Sequence, residues 1–328
     1  MLGARRHRLI WIAVASLAGW AIVRLPGLDG VTPLAPLMAF TPWVAGGSLL
    51  VLGVALASRN WAAGLVTGLA AAVLGLALLP RVVGAGEDVP EDAQTLTVLS
   101  ANVYRGNADP DALVDLVERI DPDVLAVQEL DPAFDRALQE AGIGALLPRK
   151  VVLLKLPSLP DPPNKQKRRP GIGVYSDLGL RPLPRRATTA SSRLAVRLPS
   201  GDEIRLVNFH PLTPSLAYVD RWGETLRSLP SAGGDDPWLL VGDFNATLDQ
   251  AEMRDVLDRG YRDAAETTGN GLEMTWPTVG LTPPLVAIDH VLADRRLGIA
   301  GFGVEDLPGS DHKAVWSRVF VRPGQTAH

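Results

Sequence analysis

The 328-residue chain contains no cysteine. That excludes a disulfide framework, a thiol nucleophile and a thiolate metal site, and it fits either side of a membrane. Acidic residues are nearly missing from the first 80 positions, where Asp29 stands alone against Arg5, Arg6, Arg8, Arg24 and Arg59. The remainder carries ordinary globular charge, so the composition changes between positions 80 and 90. From Glu91 onward 26 Lys and Arg face 33 Asp and Glu, a net of −7. That balance lacks the overall positive field of a generic polyanion binder. No internal repeat is visible.

What fills the first 80 positions is Ala, Val, Leu, Gly, Ile, Trp and Pro. Three apolar stretches, 9–23, 33–57 and 61–79, are separated by Arg24, Pro26 and Asp29 and then by Ser58, Arg59 and Asn60. The second and third are long enough to cross roughly 30 Å of hydrocarbon, and the first reaches that length if Arg24 snorkels. The second and third lack the polar stripe of a soluble buried helix. Trp11, Trp20, Trp43 and Trp61 suit interfacial anchoring. A cleaved signal peptide is the competing reading of the first stretch, since it follows Arg5, Arg6 and Arg8. Residues 1–82 therefore read as a membrane anchor of about three transmembrane helices whose partner is the lipid bilayer. The amino terminus and the 58–60 loop hold Arg5, Arg6, Arg8 and Arg59, against Arg24 and Arg81 on the other side. That bias puts the amino terminus inside and everything after Pro80 outside.

After a linker at 83–94, strand and helix signals alternate over 95–322, and a tail at 323–328 follows. Strands are expected at 95–101, 124–128, 171–175, 194–198, 204–209, 238–242, 287–293 and 314–320. Helices are expected at 110–120, with Asp109 as N-cap, and at 132–141, 215–229 and 251–258. The stretch 148–170 reads as the least structured, rich in proline and carrying Lys165, Lys167, Arg168 and Arg169. Mixed strands and helices over this length fit a large two-sheet α/β domain.

Six apolar segments end or begin at polar residues: Asn102, Glu129, His210, Asp243-Phe244-Asn245, Asp289-His290, and Gly309-Ser310-Asp311-His312. Strand ends on a rigid sheet are where catalytic groups collect. Of five histidines, the three away from the termini all fall in these motifs. The residue types suit phosphoester hydrolysis. A carboxylate such as Glu129 binds a hard cation like Mg²⁺ through oxygen. Asn245 and the histidines can offset charge on phosphate oxygens. Asp243 can orient or deprotonate a water, and Asp289 can fix the tautomer of His312.

The order of these motifs resembles the endonuclease/exonuclease/phosphatase superfamily, the fold of DNase I, as a bacterial, membrane-anchored member. The resemblance covers residues 96–320, and Gly242-Asp243-Phe244-Asn245 and Gly309-Ser310-Asp311-His312 are its most specific pieces. It implies a four-layer α-β-β-α sandwich, Mg²⁺ or Mn²⁺ as cofactor, and hydrolysis of a phosphoester in nucleic acid or phospholipid. It further implies a metal site at Glu129, Asn102 and Asp311. Asp243 would orient water, Asn245 would bind phosphate, and His210 would stabilise the transferring phosphate or protonate the leaving group. Asp289 and His312 would form the closing pair.

Each residue alone has a plainer reading: Glu129 or Asn102 as a cap or turn residue, Asp243 and Asn245 as an Asx turn, His290 as a structural histidine. The leading expectation is a membrane-tethered, outward-facing, metal-dependent phosphodiesterase or nuclease. The alternatives are a phospholipid-directed phosphodiesterase or phosphatase, and a catalytically inactive binding or assembly domain.

Overall fold

In the computed structural model, residues 2–25, 27–30, 34–154, 170–184, 191–280 and 283–322 are described. The basic run from Lys165 to Arg169 and the tail at 323–328 lie outside the described residues. The chain begins with α1 (Leu2–Arg24), a 3-10 turn (Leu28–Gly30), α2 (Leu34–Met38), α3 (Thr41–Ala57), α4 (Trp61–Leu78) and α5 (Pro80–Val83).

The expected span at 33–57 is divided, because the chain turns at Ala39-Phe40 before α3 begins. Pro42 sits in the first turn of α3, where a missing N–H costs no intrahelical bond. Among the described residues, Trp61–Leu78 is the one helix both long and apolar enough to cross a membrane, and the apolar Thr41–Ala57 is shorter. The helices α1, α3 and α4 run alternately up and down and pack on one another. Val14, Ala55 and Ala63 meet in one cluster, and Leu17, Ala21, Ala70 and Leu74 in another. Their outer faces stay apolar and uncovered: Leu50 is 75% exposed and Leu76 69%.

The part after α5 holds twelve described strands and six further helices. They are β1 (Thr95–Asn102), α6 (Pro110–Ile120), β2 (Val124–Leu130), α7 (Pro132–Glu140), α8 (Ile143–Leu146), β3 (Arg149–Leu153), β4 (Gly171–Ser176), β5 (Gly179–Pro182) and β6 (Ser191–Arg197). Next come β7 (Glu203–Phe209), α9 (Val219–Arg227), β8 (Trp238–Asp243), α10 (Ala251–Asp258), β9 (Tyr261–Asp263), α11 (Ala264–Thr267), β10 (Asp289–Asp294), β11 (Leu297–Glu305) and β12 (Ala314–Val321). One sheet has the order β11-β12-β1-β2-β4-β3 and the other β5-β6-β7-β8-β10-β9.

The central strands β1, β2, β4, β7, β8 and β10 are buried on both faces, which is why they read as apolar runs. In β1, Leu96 and Val98 point between the sheets, and Leu99 and Ala101 point outward under α6 and α7. In β8, Leu239 and Val241 point between the sheets, and Leu240 points outward to Trp222, Leu226, Met253 and Val256 of α9 and α10. The result is helix, sheet, sheet, helix, the two-sheet fold expected from the sequence. Asp109 caps α6, accepting from the amides of Asp111 and Ala112.

Topology places the site. β1 and β2 are parallel, joined over α6, and β7 and β8 are parallel, joined over α9. Their carboxyl ends bring Asn102, Glu129, His210 and Asp243 together between the sheets. The antiparallel neighbours β10 and β12 deliver Asp289 and His312 from their amino ends.

Further features differ from expectation. Arg149–Leu153 is a strand inside the stretch read as unstructured; it is an edge strand whose exposed Arg149 and Lys150 hide any apolar alternation. The helix expected from 215 starts at Val219. The segment after α5 is no free linker. Gly86 donates to Thr267 O at 3.1 Å, Glu87 donates to Ile299 O at 2.8 Å, and the Glu87 carboxylate holds Arg262 at 2.6 Å.

The helical region also docks on the two-sheet part. Arg81 makes two hydrogen bonds to the buried Asp249 carboxylate, at 2.8 and 2.9 Å, and Arg24 adds a third at 2.9 Å. Asp29 accepts from Ala251 N at 2.7 Å and pairs with Arg254 at 3.2 Å. Gln250 donates to Ala35 O at 2.9 Å, and Trp43 Nε1 donates to Leu285 O at 2.7 Å.

Candidate active site

Asp243 is the hub. The preceding Gly242 has φ 140°, and an added Cβ would collide with Phe209 O, so only glycine lets β7 and β8 come this close just before the carboxylate. Asp243 Oδ1 accepts from Asn245 N at 2.7 Å, an Asx-type turn. Its Oδ2 accepts from Asn102 Nδ2 at 3.1 Å and from Asn245 Nδ2 at 3.4 Å. The same oxygen lies 3.4 Å from His210 Nδ1 and 3.7 Å from His312 Nε2. Burial alone would raise the Asp243 pKa, but the His312 and His210 charges and the Asn245 amide outweigh it and hold it at about 2.

Glu129 is the penultimate residue of β2, where the pairing with β4 slips between Gln128 and Leu130. It has φ 56°, a left-handed backbone that an L residue rarely adopts. The bulge aims its side chain into the site. Oε1 lies 3.3 Å from His210 Nε2. Oε2 lies 3.7 Å from Arg105 Nε, yet it is buried and has no hydrogen-bond partner. Burial pushes Glu129 up, and His210 and Arg105 more than offset that, so it stays ionised. Burial likewise works against a charged His210, but Asp243 and Glu129 raise it to about 10.

His312 Nδ1 is 3.0 Å from Asp289 Oδ2, so Asp289 fixes the ring with Nε2 toward Asn102 and Asp243. Burial opposes the imidazolium; Asp289 and Asp243 override it and lift His312 to about 9. Ser310 holds this turn, donating to Asn102 O at 2.6 Å and accepting from His312 N at 3.0 Å. Asp311 Oδ2 accepts from Trp276 Nε1 at 3.2 Å, and burial raises the Asp311 pKa.

All eight residues expected from the sequence therefore sit in one place. Seven of them adjoin or line a cavity of about 640 Å³ or touch Asp243 directly, and Asp289 stands behind His312. His290 does not join them. Its Nδ1 bonds Asp263 at 2.8 Å and its Nε2 bonds Ala246 O at 2.8 Å, both in the buried interior. Arg105 and Trp276 are in the site without having been expected. Neither belongs to a motif; only Arg105's position three residues past Asn102 hints at its place.

Two donor sets could hold a cation. Asp243, Asp289 and His312 have donor atoms within 4.8 Å of one another. Hydrogen bonds already engage them, His312 with Asp289 and Asp243 with Asn102 and Asn245. Glu129 and Asp311 are hard oxygen donors whose side chains keep 19% and 17% exposure toward the cavity. With its orphaned buried oxygen, Glu129 fits a divalent cation better.

Fold and site define a phosphoester hydrolase built on the helix–sheet–sheet–helix sandwich. Residues 99–312 match the Endonuclease/Exonuclease/phosphatase family, and the chain belongs to it. Comparison with curated proteins finds no match. Similar solved structures include an endonuclease/exonuclease/phosphatase family protein from Bacteroides thetaiotaomicron, with 17% identity, a TM-score of 0.52, and coverage of 71% of this chain and 100% of that one. Truncated TDP2 of Caenorhabditis elegans has 17% identity, a TM-score of 0.52, and coverage of 69% and 98%. D. rerio TDP2 complexed with single strand DNA product has 18% identity, a TM-score of 0.50, and coverage of 69% and 98%. At these identities the likeness is one of fold.

Proposed function

We propose that the protein is a divalent-metal-dependent phosphodiester hydrolase held at a membrane by its amino-terminal helices, with the catalytic part on the outer side. One observation carries the catalytic reading: the buried, unpartnered Oε2 of Glu129 beside Asp243, His210 and Asp311. Glu129, with Asn102 and Asp311 beside it, would hold Mg²⁺ or Mn²⁺. When bound, the cation would polarise the phosphate and neutralise charge on its oxygens.

The chain's own groups supply the rest. Asp243, kept ionised, accepts a hydrogen bond from the attacking water and takes its proton as the new O–P bond forms. His210 and His312, kept cationic, and the Asn245 amide face the phosphate oxygens, where charge builds as the P–O bond breaks. His210 then gives a proton to the leaving oxygen. Asp289 keeps His312 in position.

The membrane reading is supported by the apolar outer faces of α1, α3 and α4, and an outer position for residues after Pro80 by the Lys/Arg bias. A nuclease is the second reading; the likeness to D. rerio TDP2 bound to single strand DNA product favours it.

The test is hydrolysis of bis(p-nitrophenyl) phosphate by the detergent-solubilised full chain. Activity with Mg²⁺ or Mn²⁺ that falls by two or more orders of magnitude in Asp243→Asn is expected. Equal rates in wild type and variant, or rates unaffected by EDTA, would overturn the reading.

A further inference from the structure

The mouth of the catalytic cavity is not built by the catalytic part alone. Pro36, Ala39 and Phe40, from α2 and the turn before α3, line it together with Leu212, Trp276 and Val286. The floor is polar and charged, with Glu129, His210, Asp243 and His312, and the rim on the helical side is apolar. Trp43 ties the two sides of that rim through its bond to Leu285 O, next to the Trp276–Val286 bridge. Arg105 is the one Lys or Arg among the described residues of the lining. A nucleic-acid track would want several cations along the backbone.

The rim is continuous with the helical bundle. The end of α1, the start of α3 and the end of α4 all lie on the side that carries Arg24, Phe40 and Arg81, against the catalytic part. The bundle's uncovered apolar flanks lead up to this end, through Leu76, Leu79 and Trp43. If the bundle spans a bilayer, this end lies at its surface, and the cavity opens there between Phe40 and the Trp276 segment.

The geometry points to a phosphodiester bearing an apolar chain, a lipid ester reached at the membrane surface, as the substrate, with Pro36, Ala39 and Phe40 receiving that chain. This rests on the reading of the site as a phosphodiester hydrolase. It makes the helical region part of the specificity device and not only a tether. An apolar tail against Phe40 would gain burial, and its phosphate would reach the charged floor.

The test uses p-nitrophenyl alkyl phosphodiesters from ethyl to octyl, with Mg²⁺, on the full chain in a maltoside detergent. The wild type should show kcat/KM rising with chain length, at most roughly three- to fourfold per methylene, the value for full burial. Phe40→Ser and, from the other wall, Leu212→Ser should flatten that slope. Phe40 is the N-cap of α3 and makes no cap hydrogen bond, so serine suits the position structurally. A flat series in an active wild type overturns the inference and leaves the hydrolase reading standing. So does an equal slope in wild type and both variants, which would mean partition into micelles, or a single-stranded DNA oligonucleotide cleaved with higher kcat/KM than the octyl ester. No hydrolysis of any ester by the wild type overturns both.

Discussion

Arg81, at the end of the helical bundle, grips Asp249 with two parallel hydrogen bonds four residues past Asn245. Both side chains are buried, and Arg24 completes the clamp. The loop that starts at the Asp243-Phe244-Asn245 turn is thus pinned by residues from the far end of the sequence. Removing one member of a buried pair leaves an uncompensated charge, which typically costs about 3–5 kcal/mol. Asp249→Ala should destabilise the full chain by that order. Arg81→Met should cost less, because Arg24 remains on the carboxylate. Thermal unfolding in one detergent compares the two, and equal, unshifted melting would refute the clamp.

Asp289 reaches the cavity only through His312. Asp289→Asn preserves shape but removes the charge that keeps His312 cationic, and it can present an N–H to the protonated Nδ1. We expect kcat to fall about 10- to 100-fold, with KM little changed. A KM effect without loss of kcat would show that Asp289 works elsewhere.

His290 gives the contrasting case. Both ring nitrogens are filled by Asp263 and Ala246 O. His290→Ala would leave both unsatisfied and should cost about 2–6 kcal/mol, from about 1–3 kcal/mol per unsatisfied buried group. The rate per folded molecule should stay within a few-fold of wild type. Chemical denaturation and active-fraction assays separate the two quantities.

The paired histidines set a pH dependence for the metal-free protein. His210 and His312 are raised to about 10 and about 9 in the fold, against roughly 6.5 unfolded. The folded state therefore binds more protons between these values. Their stabilisation is fully present below about pH 6.5 and is lost as pH rises through about 9 to 10. In EDTA the melting temperature should fall across that window, and less steeply in Asp289→Asn. A melting temperature that rises with pH there would contradict the charge assignment.

Much of this was readable from the sequence, and the failures have physical causes. Val124 to Gln128 shows as an apolar run because β2 is buried on both faces. Asp109 shows because a cap is a local device. By contrast β11 is studded with glycines, Gly298 and Gly303, because the rings of Phe320 and Trp316 on β12 occupy the space a Cβ would take. That is a tertiary fact which disguises a strand. The polar motifs around Asp243 were legible because the residue types state their chemistry. The left-handed bulge that aims Glu129 was not, since it depends on the slipped pairing with β4. Nor was the rim of Pro36, Ala39 and Phe40, which meets the catalytic residues only in three dimensions.

The central claim is that Glu129 holds the cation on which hydrolysis depends. The direct measurement is the rate of bis(p-nitrophenyl) phosphate hydrolysis as Mg²⁺ or Mn²⁺ is titrated into the EDTA-stripped, re-dialysed full chain, for wild type and Glu129→Gln. A saturable rise from near zero in the wild type, with Glu129→Gln needing at least tenfold more metal or failing to respond, is the predicted result. A stripped wild type already at full rate, or superimposable titrations for the two proteins, would contradict it.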